Sequence, residues 1–167
     1  MEEGCSNLPF PFCSDWCGYR LADGTPPDPA FYFEADMHNY GTVPLGVSRI
    51  VVSRRLVDRG TDPMQIDWQH NIPESEWQIP VAPGAAWKAT GIDLTLGEAT
   101  LVHTDQKDFY FRVRIDYRNV FSPEERYHTQ YTFRVLVAAD PANLHANVAN
   151  LKDYILFQSV PGLCSIS

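Results

Sequence analysis

No stretch of this 167-residue chain approaches the roughly 20 consecutive apolar residues that a membrane-spanning helix requires. The opening segment, MEEGCSNLPFPFCSDWCGYR, is acidic and then broken by prolines. It has neither the basic and apolar regions of a secretion signal nor the small, apolar run that precedes a lipidated cysteine. The chain therefore reads as soluble, with its compartment unassigned. Lysine is scarce, at three residues against ten arginines, and 21 Asp and Glu bring the formal charge to −8. A duplex binder needs a basic excess, and a single-strand binder needs exposed aromatics interleaved with lysines. Nucleic acid is not an expected partner.

Catalytic and cofactor signatures are also missing. The sequence contains no glycine-rich phosphate loop, dinucleotide fingerprint, HExxH, HxH, GxSxG or heptad pattern. The five histidines, at 38, 70, 103, 128 and 145, are scattered. No cofactor and no catalytic residue are assigned, and the expectation is a non-enzymatic protein. Internal repeats and low-complexity blocks are absent as well. What remains is 44% apolar and 13% aromatic residues, enough for one packed domain of this length.

Four cysteines stand at Cys5, Cys13, Cys17 and Cys164. An even number permits two disulfides, and four thiolates also suffice for one structural zinc. The Cys13-x₃-Cys17 spacing departs from the two-residue zinc knuckle, so disulfides or free thiols are favoured and zinc or redox chemistry is the alternative. Residues 1–30, with LPFPF and DGTPPDP, read as an irregular arm, since proline removes donors and excludes a helix or a central strand. Phe10, Phe12, Trp16 and Tyr19 give the arm an aromatic face. It packs either on its own domain, the favoured reading, or on a partner.

Residues 31–167 read as a single β-sandwich domain with a C-terminal tail. AFYFEADMH alternates with period two, Asn39, Gly41 and Pro44 mark a turn, and LGVSRIVVSRRLVD is a second strand. IPV and a turn follow, then IDLTL and ATLVH as short strands separated by Gly97. The clearest element is residues 109–137. Phe109, Phe111, Val113, Ile115 and Tyr117 form one face, continued by Tyr127, Thr129, Tyr131, Phe133, Val135 and Val137 on a returning strand. A register pairing Phe111 with Phe133 keeps the arginines off the core. In the tail, Asp140 as N-cap, Pro141 at the first helical position, and Leu144, Val148, Leu151 and Ile155 at helical spacing predict one short helix.

The pieces NYGTVPLGVSRIVV and FYFRVRIDYRNVFSPEERYHTQYTF carry a resemblance over residues 30–137. A strand ends in an asparagine-glycine turn followed by proline. A later hairpin carries Arg114, Ile115, Tyr117, Asn119, Val120, Phe121, His128 and Thr129 at matching positions. This pattern resembles bacterial hypothetical proteins, often membrane-associated, that have an immunoglobulin-like antiparallel β-sandwich. The resemblance implies that fold and no activity. The chain departs from the pattern in lacking membrane helices, in replacing a glycine with Ser122-Pro123, and in its cysteine-bearing arm.

The same register leaves Arg112, Arg114 and Arg134 on the polar face, with Arg49, Arg54 and Arg55 on another strand. Arginine suits bidentate pairing with carboxylate or phosphate. The face reads either as docking surface for an acidic partner or peripheral lipid headgroups, or as a wet sheet surface neutralised by Glu34, Asp36 and Asp116. The wet surface is favoured. Asp116 opposite His128 is an ordinary cross-strand pair before it is a catalytic one. The sequence thus points to a binding or assembly subunit. Its arm (Phe10, Phe12, Trp16) and sheet face (Arg112, Arg114, Arg134) would dock a protein partner or a second copy. A glycan-binding sandwich using Trp68, Trp77 and Trp87 is a weaker reading.

Overall fold

The computed structural model describes residues 12–20, 30–68, 79–144, 151–163 and 165–166, with the side chains of 12–20, 30, 32–37, 87–92, 151–152 and 165–166 outside the description. The strands are β1 (Phe12–Arg20), β2 (Ala30–His38), β3 (Leu45–Asp58), β4 (Ile79–Val81), β5 (Ala86–Thr95), β6 (Lys107–Asn119), β7 (Ser122–Val137), β8 (Ile155–Ser159) and β9 (Ser165–Ile166). Helix α1 spans Leu96–His103, and α2 (Pro141–Leu144) and α3 (Leu151–Tyr154) are single turns. β1, β2 and β5 form one antiparallel sheet in that order, and β4-β3-β6-β7-β8 forms a larger one with β9 added to β7. The domain is therefore β-rich, with short helices and antiparallel ladders throughout the described sheets.

The alternating hairpin is the frame of the larger sheet. Phe111 pairs with Phe133, Val113 with Tyr131, Ile115 with Thr129 and Asp116 with His128, the register that keeps every odd-numbered apolar residue of β6 on one side. Phe111, Val113 and Ile115 are each 1% exposed. Phe111 stacks on Phe133 at 5.1 Å between centroids and meets Phe157 of β8 edge-on at 5.6 Å. Phe31 of β2, Leu94 of β5, and Ala99 and Val102 of α1 belong to the same buried cluster, so both sheets and the helix share one core.

β3 carries a bulge. Val47 pairs with Tyr117 while Arg49 pairs with Asp116, which leaves Ser48 as the extra residue. Its hydroxyl donates to the Asp116 carbonyl at 3.1 Å. The bulge resets the alternation. Ile50, Val52, Arg54 and Leu56 fall on the core side, and Arg49, Val51, Ser53 and Arg55 on the outer side. The expected turn after β2 is built on Asn39, which is fully buried. Its amide donates to the carbonyls of Val43 and Val81, both at 3.0 Å, and its side-chain oxygen accepts from Gly41 N–H at 2.9 Å.

Several expectations are corrected. ATLVH is not a strand: α1 starts at Leu96 behind a capping box, with Glu98 N–H donating to Thr95 Oγ1 at 3.2 Å and Thr95 N–H to Glu98 Oε2 at 3.0 Å. The tail helix does not run to Ile155, which is the first residue of β8. Asp140 does cap the first turn, accepting from Ala142 N–H at 3.0 Å. Within the segment expected to be irregular, residues 12–20 form β1, at the edge of its sheet rather than its centre. Disulfide pairing is overturned too: among the described residues no cysteine pair stands at bonding distance. Cys13 and Cys17 lie on one extended strand. At about 3.3 Å per residue their Cα atoms are roughly 13 Å apart, beyond the ~7 Å reach of a disulfide. Cys5 and Cys164 lie outside the described residues.

Candidate binding face

The outer face of the larger sheet is assembled row by row across β3, β6 and β7. The rows are Arg49-Asp116-His128, Val51-Arg114-Gln130, Ser53-Arg112-Thr132 and Arg55-Tyr110-Arg134. From the Asp116 row to the Asp108 row, five arginines share the face with two aspartates. This is a local excess of three positive charges in a chain of net charge −8.

The face is not the wet surface that alternation suggests. Val51, Tyr110 and Thr132 are buried on it, as are Asp108 and Asp116. The cover comes from far along the chain. Residues 59–68 bring Trp68 over Arg112, and the turn at 160–163 brings Leu163 to Thr132. Two glycines shape these turns. Gly60, at φ +81°, adopts a left-handed conformation that strains other residues, and its N–H donates to Asp108 Oδ2 at 3.1 Å. Gly162, at φ +80°, precedes Leu163, whose carbonyl accepts from the Thr132 hydroxyl at 3.4 Å.

Asp108 and Asp116 organise most of the arginines. Asp108 Oδ1 accepts from Arg134 Nε at 3.1 Å, Arg134 Nη2 at 2.6 Å and Arg59 Nη1 at 2.8 Å. Burial pushes the Asp108 carboxyl up, but the bonds from Gly60 N–H, Arg134 and Arg59 outweigh it and hold the group below the usual range. Asp116 binds Arg49 Nε and, at 2.8 Å, Arg114 Nε. With Asp116 so engaged, burial and the Arg114 charge push His128 down, against the weaker pull of Asp116. The Asp116-His128 pair therefore does not generate a more basic imidazole.

Arg112 is different. Its Nε donates to Thr132 Oγ1 at 3.1 Å, and its guanidinium lies 4.3 Å from the centroid of the Trp68 ring. Among the described residues no carboxylate reaches it. Burial, then the Arg114 charge, lowers its pKa to about 10. The Trp68 Nε1–H is itself buried without a hydrogen-bond partner. Arg55 is held by carbonyls rather than carboxylates, those of Asp67 at 3.0 Å and Arg54 at 2.8 Å.

Of the residues singled out from the sequence, Arg112, Arg114 and Arg134 come together on this face, joined by Arg49 and Arg55. Arg54 does not join them. It lies on the core side, paired with Glu98 and 5.2 Å from the Phe109 ring centroid. Glu34 and Asp36 belong to β2 of the other sheet. Phe12 and Trp16 sit on β1 opposite Met37 and Glu34, with their side chains outside the description, as are Phe10, Trp77 and the Trp87 side chain. Among the described residues no group of three or more His, Cys, Asp or Glu is placed to hold a metal. No described helix is long and apolar enough to cross a membrane. Sequence reasoning missed Asp108, and it named Trp68 only as a glycan-stacking platform, not as a neighbour of Arg112. Asp108 was legible, because it stands at even spacing from Arg112. Nothing local to Trp68 pointed to its place on Arg112, 44 residues further along the chain. No family model, curated protein or solved structure matches the chain.

Proposed function

We propose that this chain is a non-enzymatic binding domain, an immunoglobulin-like β-sandwich whose larger sheet docks a protein partner through its outer arginine face. The fold part of this reading is supported by two antiparallel sheets contributing to one core and by the resemblance over residues 30–137. The functional part rests on one observation: a local excess of three positive charges on a chain of net charge −8. Such segregation steers a complementary surface and disfavours wrong partners. An anionic membrane would repel most of the molecule's surface, so an acidic patch on a protein is the better fit. A second copy would present its own acidic surface, and light scattering separates that case from a heterologous complex.

The test is binding of the protein that copurifies with the full-length chain, measured at about 50 and about 500 mM salt, where exposed charges are screened progressively. Affinity is expected to fall by at least about tenfold. An affinity independent of salt contradicts docking through this face.

A further inference from the structure

Four of the five outer-face arginines are held by carboxylate or carbonyl oxygens: Arg49 and Arg114 by Asp116, Arg134 by Asp108, and Arg55 by two carbonyls. Arg112 has a hydroxyl on its Nε and an indole over its plane. A guanidinium in that position is oriented before any ligand arrives. The Thr132 hydroxyl that fixes Nε is fully buried and tied to the Leu163 carbonyl. The central strand β6 fixes the backbone, and the aromatic plane restricts rotation of the fork. Little side-chain entropy remains to be lost on binding. The fork of a guanidinium matches two oxygens of one carboxylate.

We propose that Arg112, beneath Trp68, is the anchor of the docking face and takes a single carboxylate from an acidic peptide segment of the partner. This rests on the docking reading above. The chemistry favours a carboxylate over a polyanion for a stated reason. The nearest cation, Arg114, is already hydrogen-bonded to Asp116, so Arg112 is the guanidinium here whose fork has neither a carboxylate nor a carbonyl partner among the described residues. A single guanidinium matches the one charge of a carboxylate and leaves part of a phosphate dianion's charge unmatched. The lowered pKa of Arg112 follows from the same situation, and an arriving carboxylate relieves it.

The test follows the Arg112 Nε–H and Trp68 Nε1–H resonances of the full-length, ¹⁵N-labelled protein. The probes are acetylated, amidated tetraglutamate, tetraglutamine and inorganic phosphate. Both resonances are expected to shift saturably with tetraglutamate, to stay in place with tetraglutamine, and to move less with phosphate. Arg112→Gln should abolish the Trp68 shift, and Arg112→Lys, which keeps charge but loses the fork, should weaken binding about tenfold. Lys107→Gln, which removes the same charge at a residue paired to Asp58, should leave affinity within about twofold. If Arg112→Gln does not give a native amide spectrum, the lysine variant decides alone. Stationary resonances, shifts that survive either Arg112 substitution undiminished, or a phosphate response equal to tetraglutamate overturn the proposal. A salt-sensitive natural complex with no tetraglutamate response removes this inference and leaves the docking reading. Tetraglutamate binding beside a salt-independent natural complex does the reverse.

Discussion

Phe111 sits where the claims of alternation are easiest to check. It is flanked by Phe133 and Phe157 and lies in the shared core. Phe111→Ala removes a buried aromatic from both contacts and should cost about 3–5 kcal/mol, read as a marked fall in Tm. An unchanged melt would mean the odd-numbered face of β6 is not the core. Asp108 makes the opposite kind of claim, that a charge is needed inside. Its folded pKa is depressed, so its contribution is fully present above the unfolded value of about 3.9 and is lost as pH falls through the folded value. Asp108→Asn should cost about 3 kcal/mol at neutral pH by leaving Arg134 without its counter-charge. The variant's denaturant midpoint should also respond less to acid below about pH 4 than the natural protein's. His128 is depressed as well, but as a base. It resists protonation in the fold, so stability should decline as pH drops below its unfolded value of about 6.5. An NMR titration of the imidazole with a midpoint at or above 6.5 would refute the assignment.

At the level of elements, legibility tracks length and repetition. The hairpin of β6 and β7 was readable to the residue because thirteen and sixteen residues repeat the same alternation, and a slip by one would bury arginines. Helix α1 was misread because eight residues support either period, and Gly97 looked like a separator between strands. The capping box was nonetheless written in Thr95 and Glu98. Thr95→Ala should therefore destabilise the protein by about 1 kcal/mol, measured by denaturant unfolding. A double-mutant cycle between Arg54 and Glu98 should give a coupling of about 0.5–1 kcal/mol, since both groups are partly exposed. The Ser48 bulge had no signal at all, but it is plain alternation beyond it that puts Arg54 on the opposite side from Arg49 and Arg55. A grouping by sequence proximity failed for that reason.

For the whole molecule, the polar side of the hairpin was legible as a row of arginines but not as a covered surface. Its cover comes from Trp68 and Leu163, tens of residues from Arg112 in the chain, and only tertiary structure brings them over it. The consequence is functional. A wet row of arginines would be interchangeable surface, whereas on a covered one Arg112 is the guanidinium held by neither a carboxylate nor a carbonyl among the described residues. The chain's overall negative charge makes that position the contrast a partner can recognise. The measurement that bears most directly on this is arginine-selective labelling with phenylglyoxal, mapped by mass spectrometry, in free and partner-bound protein. Arg112 should lose reactivity in the complex while Arg54, on the core side and paired with Glu98, keeps its own. Equal labelling of Arg112 in both states would contradict the assignment of this face as the docking surface.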